Sequence, residues 1–206
     1  MFINTETLEY PLTEAQVKAR FPQQSFPKPF VAPEPYAVLF SRPKPNYDEV
    51  THTAAEGTPA MTEANQWEQM WVLSAFDEAT VAANTAALLQ SRKESACAEV
   101  DELREEKFWI NYPYGSTFVQ FRNNTDQLRL TNLRQFADSG YPVPLILEDN
   151  TVINFTPANF IALSSAIMSN KSEINIVARN IKNSILAAVD SAELDAIDIT
   201  VGWPVV

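Results

Sequence analysis

The chain carries one histidine, His52, and one cysteine, Cys97. Any Ser-His-Asp triad, Cys-His pair or histidine-rich metal site would have to use His52, which lies in a threonine-rich stretch far in sequence from Cys97. No histidine-glutamate zinc motif and no cysteine pair is present, so the spacing supports no zinc site. Cys97 has no partner for a disulfide and reads as a small apolar helix residue. The four glycines, Gly57, Gly115, Gly140 and Gly202, are scattered. Phosphate-cradling loops need clustered glycines so that backbone N–H groups can approach the anion, and the chain has none. Carboxylates remain, because two of them can do glycosidase-like acid and base work. The nearest pairs are Asp48-Glu49, Glu148-Asp149 and Asp195 with Asp198, and each has a simpler reading as a turn, a hairpin tip or a helix end. The Glu148-Asp149-Asn150 tip also lacks the ligand ladder of an EF-hand loop. No residue is therefore assigned a catalytic, cofactor-binding or metal-binding role.

The elements that would have to position any site change character near Phe76. Of 14 prolines, nine lie between Pro11 and Pro59, interleaved with Phe21, Phe26, Phe30, Tyr36, Phe40 and Tyr47. Residues preceding proline are pushed to extended geometry, so residues 1–75 are expected to form a Pro-rich arm and a small β-rich module. Thr13 is positioned to cap a short helix, Glu14 to Phe21. Strands are expected at Tyr36–Phe40, Tyr47–Ala54 and Asn65–Leu73, with the Gly57-Thr58-Pro59 break separating the last two. On the third, Trp67, Gln69, Trp71 and Leu73 share one face and Met70 and Val72 the other.

Residues 76–107 contain no proline or glycine and are rich in Ala, Leu, Glu, Lys and Arg, a strongly helical composition. Such a helix spans roughly 45 Å. Its best apolar stripe is Ala82, Ala86, Leu89, Ala96, Val100 and Leu103, too narrow to hold a lone helix. It calls for a neighbour, either another helix of this chain or copies of itself.

Residues 108–206 read as a compact α+β domain. A hairpin is expected around Pro113-Tyr114-Gly115, then a helix capped near Asn124 to Asp126, with Leu128, Leu130, Leu133 and Phe136 inward. A second hairpin turns at Glu148-Asp149-Asn150, and Thr156-Pro157 starts a helix carrying Phe160, Ile161, Ile167, Ile174, Val177, Ile181, Ile185 and Leu186, with a break near Ser169-Asn170. Ser191 caps a final short turn. The whole chain is thus expected to be α+β: a small sheet with an arm, a long linking helix and a C-terminal domain.

The net charge of −11 and pI near 4.5 work against nucleic-acid binding, which needs Lys and Arg for each phosphate contact. No run of about 18 apolar residues reads as a membrane span. The opening residues lack the basic start and apolar core of a secretory signal, so folding in a cytoplasm is the expectation.

The run Glu9-Tyr10-Pro11-Leu12-Thr13-Glu14-Ala15-Gln16-Val17, with Phe21-Pro22 and the Phe-Pro-rich stretch after it, resembles the N-terminal region of proteins encoded beside bacteriophage tail fibres. The strand Phe118 to Phe121, the Thr125-Asp126 cap, Asp149-Asn150-Thr151-Val152 and the ending Ala192-Glu193-Leu194 through Gly202-Trp203-Pro204 are similar to an uncharacterised domain family of phage tail-fibre and tail-assembly proteins. One departure is Asp126-Gln127, where Asp followed shortly by Ser fits that pattern. The resemblance implies no catalytic residues. It implies a phage tail context without placing the protein in the mature virion; within that context the leading expectation is a non-enzymatic protein of the virion tail, made in the host cytoplasm, that attaches, caps or organises a fibre. The implied partner is a phage tail-fibre or baseplate protein, with a homotrimer or a complex with a trimeric fibre as the assembly. Phe26, Phe30, Tyr36, Trp67, Trp71, Leu89, Val100 and Leu103 are the candidate partner-binding residues. Two rivals stand beside this reading: a transient fibre-assembly chaperone absent from the mature virion, and an enzyme acting on cell-surface glycans.

Overall fold

A computed structural model describes residues 1–205. The fold is α+β, with a long helix running from the N-terminal sheet to the C-terminal region. The chain divides into two compact units, Met1–Ala86 and Ala87–Val206.

The first unit holds a four-stranded sheet of β1 (Phe2–Asn4), β2 (Tyr36–Phe40), β3 (His52–Met61) and β4 (Trp67–Ala75), in the order β1-β2-β4-β3. β1 pairs antiparallel to β2, β2 parallel to β4, and β3 antiparallel to β4. The edge strand β1 is one more than the three expected; three residues carry too little periodicity to announce a strand. The Gly57-Thr58-Pro59 segment does not separate two strands. It lies inside β3 as a register shift between Gly57 and Ala60, the edge-strand irregularity that accommodates a Pro lacking a ladder donor. Gly57 also gives room to its neighbour on β4, since a Cβ there would meet Val72 Cγ2 at 2.8 Å.

Helix α1 (Glu14–Ala19) starts at Thr13 with a capping box: Thr13 Oγ1 accepts from Gln16 N–H at 3.2 Å and Gln16 Oε1 accepts from Thr13 N–H at 2.8 Å. Within it only Val17 is buried. Val17, Leu12 and Tyr36 form the core of this side of the unit, with Phe2, Phe21, Phe30 and Ala32 against them.

Helix α2 (Glu78–Phe108) matches the long helix read from composition, and the unit boundary falls within it. In the second unit, hairpin β5 (Tyr112–Tyr114) and β6 (Thr117–Val119) turns through Gly115 at φ +61°, and hairpin β7 (Val143–Ile146) and β8 (Val152–Phe155) through Asn150 at φ +64°. Helix α3 (Asn124–Asp138) is capped by Asn123, one residue earlier than expected. Its inner face is Asp126, Leu130, Leu133 and Ala137. Leu128 and Phe136, expected inward, are 62% and 59% exposed, because the 4-3-4 spacing of the inner four leaves them a quarter-turn or more away.

Helix α4 (Pro157–Ala187) runs unbroken through Ser169-Asn170, with Thr156 as its cap and Pro157 in its first turn. Its buried positions are Phe160, Ser164, Ile167, Lys171, Ile174, Ala178 and Ile185, with Ile181 half-buried among them. This is a strict alternation of steps of four and three, the spacing of a helix–helix seam. One end packs with α3, both hairpins and Phe121 in the main core. The other packs with Val100 of α2, Leu194 of the short helix α5 (Ser191–Asp195) and the residues after it. Asp190, rather than Ser191, caps α5. Leu186, expected inward on α4, is 58% exposed.

Candidate functional site

The eight residues singled out as partner anchors divide by location. Phe26, Phe30 and Tyr36 sit in an aromatic chain within the first unit: Phe2–Phe30, Phe30–Phe26, Phe26–Phe21 and Phe21–Tyr36 make edge contacts at centroid distances of 5.3 to 6.4 Å. Lys18 Nζ lies 4.9 Å from the Phe30 ring centre. Edge-to-face pairs of this kind add to burial, so the arm folds back and its rings hold the unit together. Tyr36 is buried, and Phe26 and Phe30 are half-buried. Trp67 and Trp71 are half-buried on one face of β4, and Trp71 Nε1 donates to Arg42 O at 3.1 Å. Gln69, on the same face, is buried and accepts from Ser41 Oγ at 3.3 Å.

The other face of the sheet is different. Strand parity and the pairing of Phe40 with Glu68 and Ala55 with Val72 put Val38, Phe40, Met70, Val72 and Ala55 together. Val38 is 48%, Phe40 45% and Val72 51% exposed. The ion pair Arg42 Nε–Glu68 Oε2, at 2.5 Å, lies within this face, since Glu68 is the register partner of Phe40 and precedes Met70 on β4. Phe40 and Val72, which are not among the eight candidate anchors, carry the exposed apolar surface of this face.

On α2, Ala82 and Ala86 are exposed, whereas Leu89, Ala96 and Leu103 are half-buried and Val100 is fully buried. Within the second unit the neighbour this stripe needed is α4. Lys93 Nζ donates to Leu186 O at 2.9 Å, Lys182 pairs with Asp101, and Arg92 pairs with Asp195. The pairs run in opposite directions along the two helices, so α2 and α4 lie antiparallel here.

A second set of residues gathers around the start of the second unit. Trp109 stacks on Phe121 with ring centres 5.5 Å apart and planes 22° from parallel, and its Nε1 donates to Glu105 Oε2 at 2.7 Å. Asn111 is fixed at both ends of its amide: Oδ1 accepts from Phe121 N–H at 3.0 Å, and Nδ2 donates to Glu148 Oε1 at 3.0 Å. Glu148 N–H in turn donates to Phe118 O at 2.9 Å. Arg122 donates from Nε to Asp126 Oδ2 at 3.1 Å and from Nη2 to Gln120 Oε1 at 3.0 Å. Burial pushes the Asp126 carboxyl up, but the side-chain and backbone hydrogen bonds from Arg122, with the charges of Arg122 and Arg129, outweigh it and hold the group below the usual carboxylate range. Between Trp109, Asn111, Phe118, Arg122 and Glu148 lies an open groove of about 500 Å³.

Behind these residues Lys171 is 1% exposed. Its Nζ donates to Ile110 O at 3.3 Å and lies 5.0 Å from the Phe121 ring centre and 5.9 Å from that of Phe108. Among the described residues no carboxylate pairs with it. Burial lowers its pKa to about 8. The one sequence signal for Lys171 is the four-and-three stripe of α4, which places it in line with Ile167 and Ile174. No local pattern marks Trp109, Asn111 and Arg122, because their meeting depends on two hairpins folding together.

The carboxylate pairs considered for chemistry are used locally. Asp48 Oδ1 accepts from Val50 N–H at 2.9 Å, Asp149 Oδ1 from Thr151 N–H at 3.0 Å and Asp198 Oδ1 from Thr200 N–H at 2.9 Å. Hydrogen bonds from the backbone and side chain of Thr151 hold Asp149 below the usual carboxylate range, and those from the hydroxyl and then the N–H of Thr200 do the same for Asp198. Among the described residues no group of three or more His, Cys, Asp or Glu is placed to hold a metal ion, and no helix is long and apolar enough to cross a membrane.

No curated protein and no solved structure matches the chain. A family model does, over residues 91–201, a span that begins in α2 and takes in the groove, Lys171 and every later helix and strand of the second unit. That span is more than half of the chain, which therefore belongs to the family described as a domain of unknown function, DUF4376.

Proposed function

We propose that the protein is a non-enzymatic bacteriophage tail protein that attaches, caps or organises a tail fibre through protein–protein contacts. The observation that carries the contact part of this reading is the uncovered sheet face of the first unit, where Val38, Phe40 and Val72 are each about half exposed around Met70. Apolar side chains left in water around one ion pair, Arg42–Glu68, fit an interaction site with both apolar and polar contacts. The phage assignment is supported by the resemblance of the Glu9 to Val17 run and of the C-terminal segments to tail-fibre-associated proteins. The partner in this reading is a tail-fibre or baseplate subunit, and the assembly is a homotrimer or a complex with a trimeric fibre.

Mass spectrometry of purified, intact virions tests it. The protein is expected at stoichiometric amounts with fibre subunits, and a Phe40→Asp, Val72→Asp variant is expected to fold but to be missing from particles. Absence of the unaltered protein from intact particles would remove the virion-component version. Rescue of soluble fibre by co-expression, with particles lacking the protein, would put the transient chaperone in its place.

A further inference from the structure

We propose that the groove between Trp109, Phe118 and Glu148 is a binding site for a neutral saccharide, a function separate from the sheet-face contact above. The argument rests on what the groove offers and what it withholds. Phe118 is 44% exposed and Ile110 43% exposed at its wall, so aromatic and aliphatic surface is already open to solvent. Trp109 is held flat against Phe121, and its N–H is spent on Glu105. The indole therefore lends the groove a rigid apolar face and no hydrogen-bond donor. An aromatic-lined groove for a polyproline segment gains from such a donor, since the peptide carbonyls need one; here it is taken.

The polar groups point to hydroxyls. Asn111 and Glu148 are locked to each other and to the backbone of β6 and Phe121. Their planar ends leave one amide N–H and one carboxylate oxygen without a partner in these hydrogen bonds, side by side in one groove. A sugar presents C–H faces that pack on aromatic rings and adjacent hydroxyls that both donate and accept. An amide beside a carboxylate matches such a pair. An anionic ligand is disfavoured, because Glu148 would repel it and Arg122, the one cation among the groove's described lining residues, already serves Asp126 and Gln120. The groove is fixed in advance, so binding has little side-chain entropy to lose.

The test uses the full chain and four defined probes: cellotetraose, maltotetraose, chitotetraose and mannotetraose, titrated to millimolar concentration and followed by amide chemical shifts. At least one is expected to give saturable shifts confined to Trp109, Asn111, Phe118, Arg122, Glu148 and their neighbours. Phe118→Ala and Glu148→Gln alter exposed side chains, and each is expected to weaken that binding about tenfold, the loss of one stacking or charge-assisted contact, with unchanged thermal stability. No response to any of the four overturns the proposal. So does binding that neither variant weakens, or a groove that responds to inorganic phosphate or to a decaproline peptide and to none of the sugars.

Discussion

The two units differ in how much apolar core they enclose. The first has a core of Leu12, Val17 and Tyr36 supplemented by half-buried aromatic rings, and it leaves one sheet face with Val38, Phe40 and Val72 in water. The second buries Phe121, Phe160, Leu145, Leu147, Ile167, Ile174 and Ile185 completely or nearly so, and it spends a lysine inside. α2 shows the contrast along one helix, with Ala82 and Ala86 exposed and Val100 at 0%. Both units leave apolar side chains in water, Leu128, Phe136 and Leu186 in the second among them, so the difference lies in how large a core each encloses.

The largest test of that contrast is to truncate matched phenylalanines. Phe160→Ala in the second unit should cost about 3–5 kcal/mol, because the cavity is walled by Phe155, Ile167 and other buried side chains that cannot collapse into it. Phe40→Ala should cost less than about 1 kcal/mol, as a half-exposed residue does. Urea denaturation of both variants measures the difference, and equal costs would erase the contrast.

Lys171 sharpens the comparison from inside the second unit. Its native pKa of about 8 lies below the ordinary 10.5, so between these values the unfolded state binds more protons than the native one. Stability must then rise with pH through that window, by up to about 1.4 kcal/mol per unit. The charge penalty is fully present below pH 8 and gone above 10.5. Lys171→Met should remove this slope and, below pH 8, leave the protein as stable as the original or more so. Denaturation midpoints of the two proteins across the window decide it; parallel pH profiles would count against a charged, buried Lys171.

Asp126 acts in the opposite pH direction. It is 5% exposed and accepts from Arg122 N–H at 3.0 Å and from Arg122 Nε. Because its native pKa is lowered, the stability it contributes is present above the ordinary carboxylate range and lost as pH falls through the native value. Asp126→Ala should cost about 1–3 kcal/mol at neutral pH, from the donors left behind. The cost should shrink in acid, which a series of melts between neutral and acidic pH would reveal.

Where short-range signals act, the elements were legible. Thr13 before Glu14, Thr156 with Pro157, and the proline-free run from Asp77 each mark a helix through backbone chemistry that needs no distant partner. Gly57-Thr58-Pro59 misled because the same residues that end a strand also make a bulge in an edge strand. Phe26 and Phe30 looked like free anchors because sequence does not reveal that the arm folds back, and that their rings then meet Phe2 and Phe21. The groove was hidden for a related reason. Asn111 and Glu148 are 37 residues apart, and only the docking of one hairpin on another brings them together.

The smallest effect belongs to the first unit. Thr13→Ala removes one half of the capping box of α1, leaving the Gln16 N–H without its side-chain acceptor. Such a loss costs about 1 kcal/mol. In a unit with so few buried residues that is a larger share of the total than it would be in the second. Hydrogen exchange can separate the two, since amides of α1 and of β2 beside it should lose protection together while those of α4 stay unchanged. If a partner covers the sheet face, adding it should restore protection in the variant, because anything that binds only the folded unit stabilises it. Exchange that remains fast in the bound state would mean that the partner contacts the sheet without depending on the arm and helix behind it.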